Sequence, residues 1–70
     1  MANPLTTALM LDTSEAASGF WRLIEVDAHG HMLEFLDEYS DEATAIADSE
    51  RYARKVGLPF SVGDVPHLLF

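Results

Sequence analysis

The stretch between Ser40 and Gly57 constrains the fold of this chain more than any other. Ala45, Ile46, Ser49, Tyr52, Ala53 and Val56 fall at the i, i+3, i+4, i+7 spacing that places residues in one stripe of a helix. Ser40 suits the N-cap, because its hydroxyl can accept a bond from an unpaired backbone N–H of the first turn. Asp41 and Glu42 follow, where the helix dipole favours negative charge, and Arg51, Arg54 and Lys55 lie toward the other end, where it favours positive charge. Gly57 can take the left-handed conformation that closes a helix, and Pro59 blocks its continuation. The spacing predicts a helix over 41–56 whose stripe of small residues can lie close against a sheet.

The strands of that sheet are legible before and after the helix. Residues 20–27, Phe-Trp-Arg-Leu-Ile-Glu-Val-Asp, are short and rich in aromatic and β-branched side chains. Ala28-His29-Gly30-His31 follows, with Gly30 able to supply the positive φ of a tight hairpin turn. Residues 32–39 then form a second strand. Strict alternation puts Leu33, Phe35 and Tyr39 on its core face, with Asp37 as the exception, and Met32, Glu34, Leu36 and Glu38 on the other. Phe60-Ser61-Val62 is a third short strand. The expected fold is α+β: a small ββαβ core, an antiparallel hairpin covered by one helix, in a single domain over 19–70. Residues 1–18 form a variable, partly ordered N-terminal arm. Within it, 5–11 is apolar enough for a strand or a short helix, and Ser18-Gly19 ends a helical start at 12–17.

Seventy residues hide only about 60% of the surface of the unfolded chain. A core of this size supplies a net stability on the order of 3–5 kcal/mol. The chain has no cysteine, so disulfides and thiolate metal sites are excluded. Self-association or a partner can supplement the core. Phe20 and Trp21 point to opposite faces of their strand, and residues 65–70 end in Leu-Leu-Phe. Both features ask for apolar cover, from the tail folding back, from a second copy in a homodimer, or from a partner. No run of 18 apolar residues is present, and the first residues lack the positive region of a secretory signal, so the expectation is a cytoplasmic chain without a membrane partner.

Charge narrows the partner classes. Twelve carboxylates against four basic groups give a formal charge of −8. That disfavours direct contact with nucleic acid or anionic lipid, which reward Lys and Arg. It suits a protein partner with a basic surface, such as a nucleic-acid-binding complex. The acids are also concentrated: Glu34, Asp37, Glu38, Asp41, Glu42, Asp48 and Glu50 occur with no Lys or Arg between Glu34 and Glu50. If the second strand and the first helical turns share an edge, these charges form one acidic patch, in which Glu34, Asp37, Glu38, Asp41 and Glu42 would meet the partner; otherwise they are a solvated face with ordinary helix N-terminal acids. Trp21 would add an apolar contact beside it.

Catalytic patterns are missing. No GxSxG, no phosphate-binding glycine loop and no cysteine nucleophile occurs, and no spacing of Ser and His suggests a triad. His29, His31 and Asp27 are legitimate metal ligands, but structural zinc sites usually take four protein ligands, and no CxxC or HExxH accompanies them. The reading is a polar turn, no cofactor, and a protein that is not an enzyme.

Tyr39-Ser40-Asp41-Glu42-Ala43, followed by an Ala-rich helix after a hairpin, resembles the strand–helix junction of HicB-type antitoxins, without an evident DNA-binding segment. That resemblance implies a dimeric accessory module using its sheet face and tail. In size, acidity and lack of catalytic residues the chain is similar in type to phage-encoded anti-CRISPR and DNA-mimic inhibitors. That similarity implies an inhibitor that occupies a basic groove through its acidic face.

Overall fold

The structure, a computed structural model, describes residues 4–63. Strand β1 spans Ala8–Asp12, β2 Trp21–Val26, β3 Met32–Tyr39 and β4 Phe60–Gly63, and the helix α1 spans Glu42–Val56. A single 3-10 turn, Ala16–Ser18, joins β1 to β2 and closes at Gly19, whose φ of 88° is left-handed. The four strands form one sheet in the order β3-β2-β1-β4. β1–β2 and β2–β3 pair antiparallel, and β1–β4 pair parallel. The fold is therefore α+β, a mixed sheet carrying one helix.

The hairpin, helix and last strand stand where the sequence places them. The segment read as strand or short helix at 5–11 resolves into β1, an inner strand between β2 and β4. The Leu9 N–H donates to the Pro59 carbonyl at 2.9 Å and the Thr13 N–H to the Gly63 carbonyl at 3.0 Å, fastening β4 alongside. Leu9 and Leu11 are fully buried, so residues assigned to a variable arm supply the centre of the sheet. Residues 65–70, the apolar tail, lie outside the described residues.

α1 packs with Ala45, Ser49 and Ala53 inward, a small-residue row at i, i+4 and i+8. Ala53 meets Leu9 and Leu23, and Leu36, Tyr39, Tyr52, Leu58 and Phe60 close around them. Val56, the last residue of the expected stripe, is exposed. The N-cap is Asp41, not Ser40. Asp41 has extended backbone angles and its Oδ2 accepts from the Thr44 N–H at 2.8 Å. Both side chains can cap, and the carboxylate adds a charge-assisted bond at the positive end of the dipole. At the other end the N–H groups of Gly57 and Leu58 both donate to the Ala53 carbonyl, with Gly57 at φ 75°.

β3 departs from strict alternation. Its pairing with β2 shifts register twice, between Leu23 and Ile24 and between Glu25 and Val26. At each β-bulge two residues of β3 oppose one of β2. Leu36 and Asp37 both stand opposite Leu23, and Leu33 and Glu34 both stand opposite Glu25. The helix-facing side of β3 is therefore Leu33, Glu34, Leu36, Asp37 and Tyr39, and the far side is Met32, Phe35 and Glu38. This corrects the expected faces: Leu36 joins the core, and Phe35 is half exposed on the side away from the helix. On that far side Ile24 and Val26 are buried, while Met32 and Phe35 remain exposed at the sheet edge.

Candidate functional site

The bulges of β3 also arrange the acidic residues. β3 is an outer strand of the sheet, and the chain leaves it at Tyr39 to enter α1 within three residues. The end of the strand and the helix N-terminus are thus adjacent. Asp37, Asp41 and Glu42 are exposed near this border; Glu34 is exposed on the helix side of β3 but toward its Met32 end, roughly 16 Å along the strand from Tyr39. Glu38 is also exposed, but its register position opposite Arg22 turns it to the far side of the sheet. Trp21 pairs with Tyr39 and is half buried on the helix side, so it lies under the border and not on its rim.

None of the five acids is neutralised within the described residues. The ion pairs found there engage other carboxylates, Asp12 with Arg22 and Asp48 with Arg51, and Asp27 Oδ2 lies 3.5 Å from His31 Nδ1, an ion pair only when that ring is protonated. Two of the five are held by backbone amides. Asp37 Oδ1 accepts from the Glu38 N–H at 2.8 Å, and Asp41 accepts from Thr44. The Thr44 backbone N–H holds the Asp41 carboxyl below its ordinary value of 3.8, with the Thr44 hydroxyl adding to the effect.

Behind this border the sheet and helix leave an open cleft of about 240 Å³, lined by Leu23, Leu36, Asp37, Tyr39 and Tyr52. Burial raises the Tyr39 phenol above its ordinary value of 10.0, with the charges of Asp37 and Asp48 adding, so the ring is neutral at physiological pH. Ser49 lies close enough to Tyr39 to oppose that rise slightly, yet its fully buried Oγ makes no hydrogen bond of good geometry. The tyrosines and Leu36 were not among the sequence-derived site residues. The signal for them was the spacing Leu33, Leu36, Tyr39, three residues apart in a strand, which two bulges produce and alternation does not.

The His29-Gly30-His31 turn is organised by Asp27. Asp27 Oδ1 accepts from the His29 N–H at 2.8 Å and the His31 N–H at 2.9 Å. The two imidazole rings are 6.0 Å apart and tilted by 39°. The Asp27 carboxylate thus serves as the brace of the turn. Among the described residues no group of three or more His, Cys, Asp or Glu is arranged to hold a metal ion, and no helix is long and apolar enough to cross a membrane.

Compared with protein-family models, with curated proteins and with solved structures, the chain finds no match. What the fold defines is a class: a small α+β protein, a four-stranded mixed sheet with one helix packed on it.

Proposed function

We propose that this protein acts by binding, not by catalysis, and that the border of β3 and the start of α1 docks on a basic protein surface. The observation that carries this reading is the set of exposed carboxylates at Asp37, Asp41 and Glu42 where β3 passes into α1, with Glu34 farther along the strand, none with a cationic partner among the described residues. Such a border complements Lys- and Arg-rich grooves, where oriented charge speeds association and selects the partner. Grooves of that kind belong to nucleic-acid-binding complexes, so the protein would act there as an inhibitor occupying the site of a phosphate backbone. Glu38 faces away and contributes to the long-range field only.

Affinity capture from a lysate at low and high salt, with the charge-reversed variant Asp37→Lys/Glu42→Lys beside the wild type, tests the proposal. Retention of a basic, nucleic-acid-binding protein that falls with salt and is lost in the variant supports it. Equal retention by the variant overturns it.

A second reading has its own observation. Met32 and Phe35 are exposed at neighbouring register positions on the sheet face opposite the helix. An exposed apolar pair of this kind suits self-association in a dimeric accessory module. Light scattering decides: a dimer that Phe35→Ser converts to monomer favours this reading, and a monomeric wild type removes it.

A further inference from the structure

The cleft between β3 and α1 owes its composition to a β-bulge. In an unbroken strand, Asp37 and Tyr39 would share a face and Leu36 would point the other way. The bulge opposite Leu23 adds Leu36 to their side. One cleft therefore combines an aliphatic floor, Leu23 and Leu36, two tyrosine rings, Tyr39 and Tyr52, and one carboxylate, Asp37, at an exposed rim.

Size limits the occupant. At about 240 Å³ the cleft has the volume of about eight waters at roughly 30 Å³ each. It falls below the roughly 300 Å³ at which small-molecule sites begin. One extended side chain from a partner is the right scale.

Chemistry selects among side chains. An acidic one is repelled by Asp37. An apolar one fills the floor but covers part of the Asp37 carboxylate and brings it no cation. A lysine presents a compact ammonium that is strongly hydrated and costly to strip of water. An arginine lays its stem on the leucines, stacks its weakly hydrated plane on a tyrosine face, and pairs its fork with the carboxylate. The Glu38 N–H holds one oxygen of Asp37 in place, so the carboxylate is oriented before anything arrives.

We propose that this cleft receives a single arginine side chain of a basic protein partner. The proposal rests on the acidic-border reading above and names the group through which the partner is anchored. The border supplies the field, and the cleft supplies the desolvated contact that fixes register.

NMR titration of the full chain with the capped tripeptides Gly-Arg-Gly and Gly-Lys-Gly tests it. The arginine peptide is expected to shift the Leu23, Leu36, Tyr39 and Tyr52 side-chain signals saturably at millimolar concentration. The lysine peptide is expected to bind at least about threefold more weakly. Asp37→Asn, at an exposed position, should weaken the arginine peptide about fivefold or more, and Glu15→Gln, outside both the cleft and the border, should leave it unchanged. Tyr52→Leu, with the fold checked by circular dichroism, should weaken it similarly. Shifts that are equal for both peptides and confined to Glu34, Glu38 and Glu42 overturn the proposal, as does full binding by Asp37→Asn. The two readings fail separately. Cleft shifts in a protein that retains no basic partner refute the acidic border, and salt-dependent retention without cleft shifts refutes the arginine anchor.

Discussion

Arg22 Nη2 lies 3.5 Å from Asp12 Oδ2, across the pair that joins the end of β1 to the start of β2. Asp12 is buried at 4% exposure, while the Arg22 side chain keeps 37% of its surface in solvent. The same carboxylate accepts from the Ser14 N–H and the Ser14 hydroxyl, both at 2.9 Å. The Ser14 bonds are short and local, whereas the cation is long-ranged and more than a third exposed. Asp12→Ala should cost about 2 kcal/mol, because it removes the Ser14 bonds and the Arg22 contact together. Arg22→Met, which keeps the stem, should cost about 1 kcal/mol or less. Urea unfolding midpoints compare the two, and equal losses would show that the carboxylate depends on the cation after all.

The bulges of β3 make neighbouring residues unequal. Leu36 packs into the core beside Leu23, and Phe35 is half exposed on the far face. Leu36→Ser should destabilise by about 2 kcal/mol or more, a large part of what a core of this size supplies. Phe35→Ser should cost about 1 kcal/mol or less. Strict alternation gives the opposite order, so chemical denaturation of the pair decides which register β3 adopts.

Ser49 presents a different imbalance. Its Oγ is fully buried at the helix–sheet contact and lacks a well-formed hydrogen bond. An unmade bond of this kind costs on the order of 1–3 kcal/mol, and Ala is the better helix former. Ser49→Ala should therefore be neutral or stabilising by up to about 1 kcal/mol, read as an unchanged or raised melting temperature. A clear drop would mean that the hydroxyl is bonded to Tyr39 in solution.

Acid stability follows from Asp27 and Asp41. Asp27 is held below its ordinary 3.8 first by the His31 backbone N–H and also by that of His29, against the desolvation of the turn. Asp41 is held below 3.8 by Thr44. A carboxylate with a depressed folded-state value stabilises the fold above its unfolded value, and that contribution is lost as pH falls through the folded value. These contributions are present above about pH 4 and decline below it. The double variant Asp27→Asn/Asp41→Asn should flatten the fall of the urea midpoint between about pH 4 and pH 2. An equally steep fall would assign acid sensitivity to other groups.

How much of this was legible depends on how each element is covered. α1 was legible because one side faces the sheet and the other faces water, so its period is written in the sequence. Its cap slipped by one residue because Ser40 and Asp41 are both good caps. β1 stayed open between strand and helix because residues 8–11 are all apolar, so no polar alternation marks them as a strand. The faces of β3 were misassigned because bulges are written in pairing, which one strand read alone does not contain. The acidic border was legible as a charge run. Its division, with Glu38 on the far face and Asp37 at a tyrosine-lined cleft, needed the register.

The central claim is that the border between β3 and α1 is the docking surface. The direct measurement is the affinity of the captured basic partner for two variants of equal charge change, Asp37→Lys/Glu42→Lys on the border and Glu15→Lys/Glu50→Lys at exposed positions away from it. The account predicts at least about a tenfold loss for the border variant at about 0.15 M salt and a much smaller, fully salt-screened loss for the other. Equal losses would reduce the effect to net charge and contradict a defined docking surface.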